Sequence, residues 1–148
     1  MASRTRRLLR AAAESDTTFE LVASRGREYL VGKCIHCATR VTVPLDPDEP
    51  AHATLEHIVP KNHGGDDAPE NLCVACRRCN HAKGRQLDRR RADDATLARV
   101  IDTLQVRRRE RLRLSAKNPV EEGRRGRPDR AAGADRAASS RRSRSGGS

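Results

Sequence analysis

Aromatic residues are almost absent from this chain of 148 residues, which has no Trp, one Phe and one Tyr. Proteins that hold unpaired bases usually stack them on aromatic side chains, so this shortage argues against a single-strand stacking groove. Long apolar runs are also missing, both of the length of a membrane span and of the length of a signal-peptide core. The sequence therefore predicts a cytoplasmic location and no membrane partner.

Negative charge is in short supply too. The chain has 20 acidic residues against 31 basic ones, which gives a formal net charge of +11 and a pI near 10.6. Such an excess favours binding to polyanions, above all nucleic acid. DNA is the expected partner, as a duplex that is contacted mainly through its phosphates.

Only 35% of the residues are hydrophobic and 34% are charged, so the hydrophobic core must be small. A fold with such a core usually needs a disulfide or a bound metal to stabilise it, and the cysteines can provide either. Two pairs have the spacing of metal knuckles, Cys34-x-x-Cys37 and Cys76-x-x-Cys79. Together they predict a tetrahedral structural zinc site, which leaves no open position for a catalytic water. A redox pair is the alternative interpretation. Cys73, the fifth cysteine, is expected to be a buried small side chain.

Local patterns predict a small α+β fold. Alternating apolar residues indicate strands, and apolar residues at helical spacing indicate helices. The last helix has an apolar stripe and can be capped by Asp93 or Asp94. The predicted helices cover 4–14, 77–90 and 93–114, and the predicted strands cover 27–33, 40–45, 53–60 and 71–75. The stripe of the last helix consists of Leu97, Val100, Ile101 and Leu104.

Three further segments complete a recognisable pattern: EHIVPKNHGG from Glu56, ENL ending at Leu72, and CRRCNHAKG from Cys76. In this order and spacing, with both knuckles, the sequence resembles the HNH endonuclease family and its ββα-metal fold. The resemblance runs from Cys34 to about Gly84. It implies an enzyme, a metal-dependent endonuclease that hydrolyses phosphodiester bonds in DNA.

The resemblance also implies roles by position. His57 would be the general base, and Asn71 would hold the catalytic loop through backbone hydrogen bonds. Glu56 and Asn80 would bind the catalytic ion, although Asn80 stands where the family motif has its last histidine. A carboxylate and an amide oxygen suit Mg²⁺ or Mn²⁺. Because neighbouring residues of a strand point to opposite faces, we expect a bend or bulge to bring Glu56 and His57 to one centre.

This interpretation divides the chain into a basic N-terminal helix and extension (1–26), an HNH nuclease domain (27–91), an Arg-rich C-terminal helix (92–115) and a disordered basic tail (116–148). The arginine runs at 89–91 and 107–109 are expected to contact duplex DNA. His36, between two zinc ligands, is expected to face solvent. Further candidates for phosphate contact are Lys61, His63, His81 and Lys83.

Two other functions explain the knuckles and the charge. One is a zinc-stabilised nucleic-acid-binding module without catalysis, and the other is an RNA-directed nuclease. The non-catalytic module leaves the combination of Glu56, His57, Asn71 and Asn80 unexplained.

Overall fold

The computed structural model describes residues 2–113, so the predicted disordered tail lies outside the described residues. Three α-helices, one short 3-10 helix and five strands make up this part of the chain, which confirms the predicted α+β class. The described part contains no helix that is long and apolar enough to cross a membrane. The α-helices are α1 (Arg4–Glu14), α2 (Arg77–Gln86) and α3 (Ala95–Arg111). The strands are β1 (Glu20–Ser24), β2 (Arg27–Lys33), β3 (Arg40–Pro44), β4 (Ala53–His57) and β5 (Leu72–Cys76).

Helix α1 covers the predicted segment 4–14. The hydroxyl of Ser3 accepts a hydrogen bond from the backbone N–H of Arg6, and this caps the first turn. Leu9, Ala12 and Ala13 form the buried face of the helix, and α1 packs against β4 and β5. The basic N-terminal helix is therefore part of the packed core.

Strands β1, β2 and β3 form an antiparallel sheet in that order. The sequence prediction included β2 and β3 but missed β1. Arg25 and Gly26, both at positive φ, join β1 to β2 in a tight two-residue turn. Hairpin loops of two residues need such left-handed backbone, and Gly26 supplies it without strain. The turn brings Phe19, which is fully buried, over Gly32 of β2.

Strands β4 and β5 pair antiparallel, and α2 follows β5 directly and packs on both strands. This β4–β5–α2 unit is the ββα arrangement that the resemblance implies. The loop between the two strands contains a short 3-10 helix, Lys61–His63. Gly64 ends that helix at a φ of 82°, and Gly65 passes so close to the carbonyl of Val59 that a side chain would not fit. The Gly-Gly pair therefore shapes the loop.

Helix α3 closes the core. The carboxylate of Asp94 accepts hydrogen bonds from the N–H groups of Thr96 and Leu97, so Asp94 is the cap. The predicted apolar stripe is confirmed: Leu97 and Leu104 are buried, and Val100 and Ile101 are half-buried against the core. Cys73 is fully buried, as predicted.

Candidate metal centre and active site

Four sulfur atoms converge at one place. The Sγ atoms of Cys34, Cys37, Cys76 and Cys79 all lie within 4.8 Å of one another, and those of Cys37 and Cys76 are 3.9 Å apart. A tetrahedral zinc with bonds of about 2.3 Å separates its sulfur ligands by about 3.8 Å, so the four residues fit the ion. The predicted pairing of the two knuckles at one site is confirmed, and this cluster can hold zinc.

The surroundings of the cluster shift the pKa values of its thiols in different directions. The backbone N–H of Thr39 stabilises the thiolate of Cys37 and lowers its pKa to about 7. Burial, followed by the neighbouring thiols, raises the pKa of Cys79 to about 12. Burial also raises the pKa of Cys34. Thiolates packed this closely repel one another, and a divalent cation removes that repulsion.

Arginines of α3 hold the first knuckle in position. Arg107 Nη1 donates to the carbonyl oxygens of Ile35 and His36, at 3.1 and 3.0 Å. Arg111 Nη1 donates to the carbonyl of Lys33 at 3.2 Å. Arg108, only 1% exposed, donates to the carbonyl of Pro69 through Nε and Nη2. The expectation that the 107–109 run contacts DNA is therefore wrong for Arg108, which is buried inside the protein.

Glu56 is buried in an ionic network beneath α2. Its side chain is 1% exposed, and its Oε1 lies 2.8 Å from Lys83 Nζ. Lys83 also donates to Asp88 Oδ1 at 2.8 Å and to the carbonyl of His57 at 3.0 Å. The other carboxylate oxygen, Oε2, lies 3.4 Å from His36 Nε2. Lys83 is thus a buried partner of Glu56, and the expectation that it reaches phosphate is wrong.

The position of His36 also differs from the prediction. Its side chain is 17% exposed and turns toward Glu56, whereas the sequence suggested a solvent-facing residue. The physical reason is the packing of the first knuckle, since the backbone N–H of Ile35 bonds to the carbonyl of Val74 in β5. This contact places the knuckle beside the β4–β5 pair, a placement that local sequence does not reveal.

The expected bulge at Glu56 and His57 is absent. The two residues pair one-to-one with Cys73 and Leu72, and the ladder continues through the bond from Ile58 N–H to the Asn71 carbonyl. The two side chains therefore have different partners. The Nε2 atom of His57 lies 2.8 Å from Asp67 Oδ1, away from the Glu56 network.

Asp67 is a functional candidate that sequence reasoning missed. Hydrogen bonds from His57 and Lys61 lower its pKa to about 2, so it is a carboxylate at neutral pH. Its other oxygen, Oδ2, receives Arg4 Nη2 at 2.7 Å, which ties the start of α1 to the loop. The acidic pair Asp66-Asp67 directly after Gly-Gly was the available signal, but a loop carboxylate usually faces solvent.

Asn71 holds the loop by its side chain. Its Oδ1 accepts from the N–H of Val59 at 2.8 Å, and its Nδ2 donates to the carbonyls of Val59 and Asp66, at 3.1 and 2.9 Å. These three bonds hold together the two ends of the loop that follows His57 and carries Asp67. The geometry supports the loop-holding role that the resemblance implies for this residue.

Asn80 lies in the first half of α2 and faces β4. Its Nδ2 donates to the carbonyl of Leu55 at 3.1 Å, which leaves Oδ1 as the group that can bind a cation. Thr54 shares a face of β4 with Glu56, and Asn80 and Thr54 line the same open cleft of about 440 Å³. Asn80 and Glu56 therefore belong to the α2-facing side of β4. The remaining residues that line the cleft are Arg77, His81, Gly84, Arg85 and Arg89.

A family model described as HNH endonuclease matches residues 34–95. No curated protein and no solved structure matches the chain. The match covers both knuckles and the whole β4–β5–α2 unit, so the resemblance is confirmed over this segment. It indicates a nuclease-type function with nucleic acid as the substrate and a divalent metal as the usual cofactor of the family.

Proposed function

We propose that the protein is a metal-dependent endonuclease that hydrolyses phosphodiester bonds in duplex DNA, with His57 as the general base. The observation that carries this proposal is the His57–Asp67 pair at the end of β4, in a segment that matches the HNH endonuclease model and also contains Glu56 and Asn80. Asn71 supports the proposal, because its three hydrogen bonds to Val59 and Asp66 fix the loop that carries Asp67.

The Asp67 carboxylate defines which nitrogen of His57 takes the proton. Because Asp67 accepts a hydrogen bond from Nε2–H, the lone pair of the neutral ring remains on Nδ1. Nδ1 can then accept a proton from water as that water attacks the phosphorus atom. The carboxylate also stabilises the positive charge that the ring acquires.

The catalytic ion would bind to oxygen atoms of Glu56 and Asn80. Both are hard ligands, and this chemistry fits Mg²⁺ or Mn²⁺. When bound, such an ion stabilises negative charge on the phosphate and on the leaving oxygen. The zinc of the four cysteines is structural in this proposal, because all four of its positions are filled by protein.

The outer face of α2 fits the DNA backbone. Arg77, Arg78 and Arg85 are exposed there, and so is Arg89 in the segment after the helix; Arg77, Arg85 and Arg89 line the cleft that contains Asn80. Within the described residues these four arginines form no ion pair. The positive charge of these arginines, next to the proposed ion site, suits binding to the phosphates of a DNA duplex.

One observation favours a non-catalytic, zinc-stabilised nucleic-acid-binding module instead. Glu56 is buried and already neutralised by Lys83, so its carboxylate has a complete structural role without an ion. In that case the α2 arginines would bind DNA while Glu56 and Lys83 only stabilise the fold. The two proposals differ in whether His57 affects any chemistry.

The test is plasmid cleavage. We would incubate the zinc-loaded full chain with supercoiled plasmid and Mg²⁺ or Mn²⁺, with EDTA as a blank. The variants are His57→Ala and, as a matched control, His52→Ala, since His52 is an exposed residue outside the site. We expect open-circle or linear DNA from the wild type and the control, and a loss of about 10²- to 10⁴-fold for His57→Ala.

Equal cleavage by His57→Ala would contradict the proposed base. No cleavage by any protein, with DNA binding retained, would favour the binding module. The same assay on an RNA duplex of matched sequence separates the RNA-directed nuclease, which would cut the RNA faster than the DNA.

A further inference from the structure

We propose that His36 is a ligand of the divalent ion at Glu56, so that the ion is held by an imidazole nitrogen as well as by oxygen atoms. The proposal deepens the proposed function and rests on it for the presence of the ion. It would give the first zinc knuckle a second task, since His36 lies between the ligands Cys34 and Cys37.

The distance between the two side chains suits shared coordination. His36 Nε2 and Glu56 Oε2 are 3.4 Å apart. A strong charge-assisted hydrogen bond is shorter, at about 2.7–2.9 Å. Two neighbouring ligand atoms that each bind one ion at about 2.1 Å, with an angle of roughly 90–110°, are about 3.0–3.4 Å apart.

The backbone that carries the imidazole is held by hydrogen bonds on both sides of its Cα atom. The backbone N–H of His36 donates to Cys34 Sγ at 3.4 Å, and its carbonyl accepts from Arg107 Nη1 at 3.0 Å. Its side chain is only 17% exposed, and Glu56 is 1% exposed. Ligand atoms that are held before the ion arrives lose little freedom when they bind it.

The charge around Glu56 leaves room for a cation. The single ammonium of Lys83 contacts two carboxylates, Glu56 at Oε1 and Asp88 at Oδ1, both at 2.8 Å. One ammonium is therefore shared by two carboxylates, of which Glu56 is 1% exposed and Asp88 is 23% exposed. Glu56 Oε2, which faces His36, is turned away from the ammonium and is the oxygen open to an ion.

A nitrogen ligand changes which metal the site prefers. Mg²⁺ binds oxygen ligands almost exclusively, whereas imidazole suits transition metals. With His36 in the ligand set, we expect Mn²⁺ to bind more tightly than Mg²⁺. Glu56 and Asn80 alone, as oxygen ligands, predict no such preference.

The experiment measures metal binding rather than cleavage. Untagged, zinc-loaded full chain is titrated with Mn²⁺, and the free ion is followed by electron paramagnetic resonance. Pulsed measurements on the bound ion detect the ¹⁴N coupling of a directly bound imidazole. The variants are His36→Gln, His57→Gln and the exposed control His52→Gln, and zinc content is checked in each.

We expect the wild type to bind Mn²⁺ with a ¹⁴N coupling that His57→Gln and His52→Gln retain. His36→Gln should abolish the coupling and weaken Mn²⁺ binding by about tenfold or more. A coupling that persists in His36→Gln, or a wild type without one, would overturn the proposal. If His36→Gln loses its zinc, His63→Gln and His81→Gln complete the set of histidine variants. A coupling that every variant other than His36→Gln retains then leaves His36 as its source, and a coupling lost in His57→Gln, His63→Gln or His81→Gln refutes the proposal.

The outcomes also separate this inference from the proposed function. A wild type that cuts no plasmid but binds Mn²⁺ through His36 leaves the ligand in place and removes the nuclease. A wild type that cuts plasmid but shows no ¹⁴N coupling keeps the nuclease and removes His36 as a ligand.

Discussion

Lys83 offers the sharpest test of the buried ionic network. We expect Lys83→Met to lower the free energy of unfolding by about 3–5 kcal/mol, because it leaves the buried carboxylate of Glu56 without its ammonium partner. The structure places this lysine at the high end of such effects. Its side chain is 2% exposed and contacts two carboxylates and the carbonyl of His57 within 3.0 Å.

Urea unfolding of the zinc-loaded chain, followed by far-ultraviolet circular dichroism, measures this loss. For a domain of this size the midpoint should fall by about 2 M. The matched control is Lys61→Met, since Lys61 is 59% exposed and its contact with Asp67 is a surface ion pair. Such pairs contribute about 0–1 kcal/mol, so the control should unfold close to the wild type.

A double variant identifies the cause of the loss. Glu56→Gln removes the charge that Lys83→Met leaves unpaired, so the combination should be more stable than the sum of the two single effects predicts. If Lys83→Met unfolds within about 1 kcal/mol of the wild type, the ammonium does not neutralise Glu56, and the network described above is refuted.

The remaining predictions concern the loop and the zinc. Asp67→Asn should slow plasmid cleavage by at least about tenfold, because His57 loses the carboxylate that orients it. The pKa of Asp67 lies near 2 against an ordinary value of 3.8, so the stability it contributes is present above pH 3.8 and is lost as the pH falls toward 2. The cysteines bind zinc only as thiolates, so the comparison is made where zinc stays bound: urea unfolding should show the wild type more stable than Asp67→Asn at both pH 6 and pH 8, and equal stability would contradict this. Asn71→Ala should cost about 2–3 kcal/mol in urea unfolding, since three hydrogen bonds are lost, and Asn71→Asp should cost less if the acceptor bond to Val59 dominates. Removal of zinc by a chelator, or Cys37→Ser, should unfold the β4–β5–α2 unit as seen by circular dichroism, and a folded zinc-free chain would show that the cysteines are dispensable.

The zinc site and most elements could be predicted because their signals are local. Two residues separate the cysteines of each knuckle, and a helical stripe is read within one segment. Strand β1 was missed because Glu20–Ser24 has little alternation, and its hairpin turn is Arg-Gly rather than the usual Asn-Gly or Asp-Gly. Gly26 was the one signal that could have indicated it.

The partners of the site residues could not be predicted, because they depend on contacts between distant segments. His36 reaches Glu56 only because the first knuckle packs beside β5. Lys83 appears in a polar helix, where a lysine ordinarily faces solvent. Its burial results from the position of α2 over β4, and α2 begins directly after Cys76, at the four-cysteine cluster.

The basic character of the chain has two separate uses. Arg107 and Arg108 of α3 donate to backbone carbonyls of the first knuckle and of the loop before Asn71. Those carbonyls would otherwise lack partners inside the fold, and an arginine with several donors in one plane can bind two of them at once. The arginines of α2, by contrast, are exposed beside the cleft that contains Asn80. Net charge alone predicts attraction to nucleic acid without saying where, and the hydrogen bonds identify arginines that are already engaged within the fold. Under the proposed function, the exposed arginines beside the cleft of Asn80 would contact the phosphates, and Arg108, which is buried, would not.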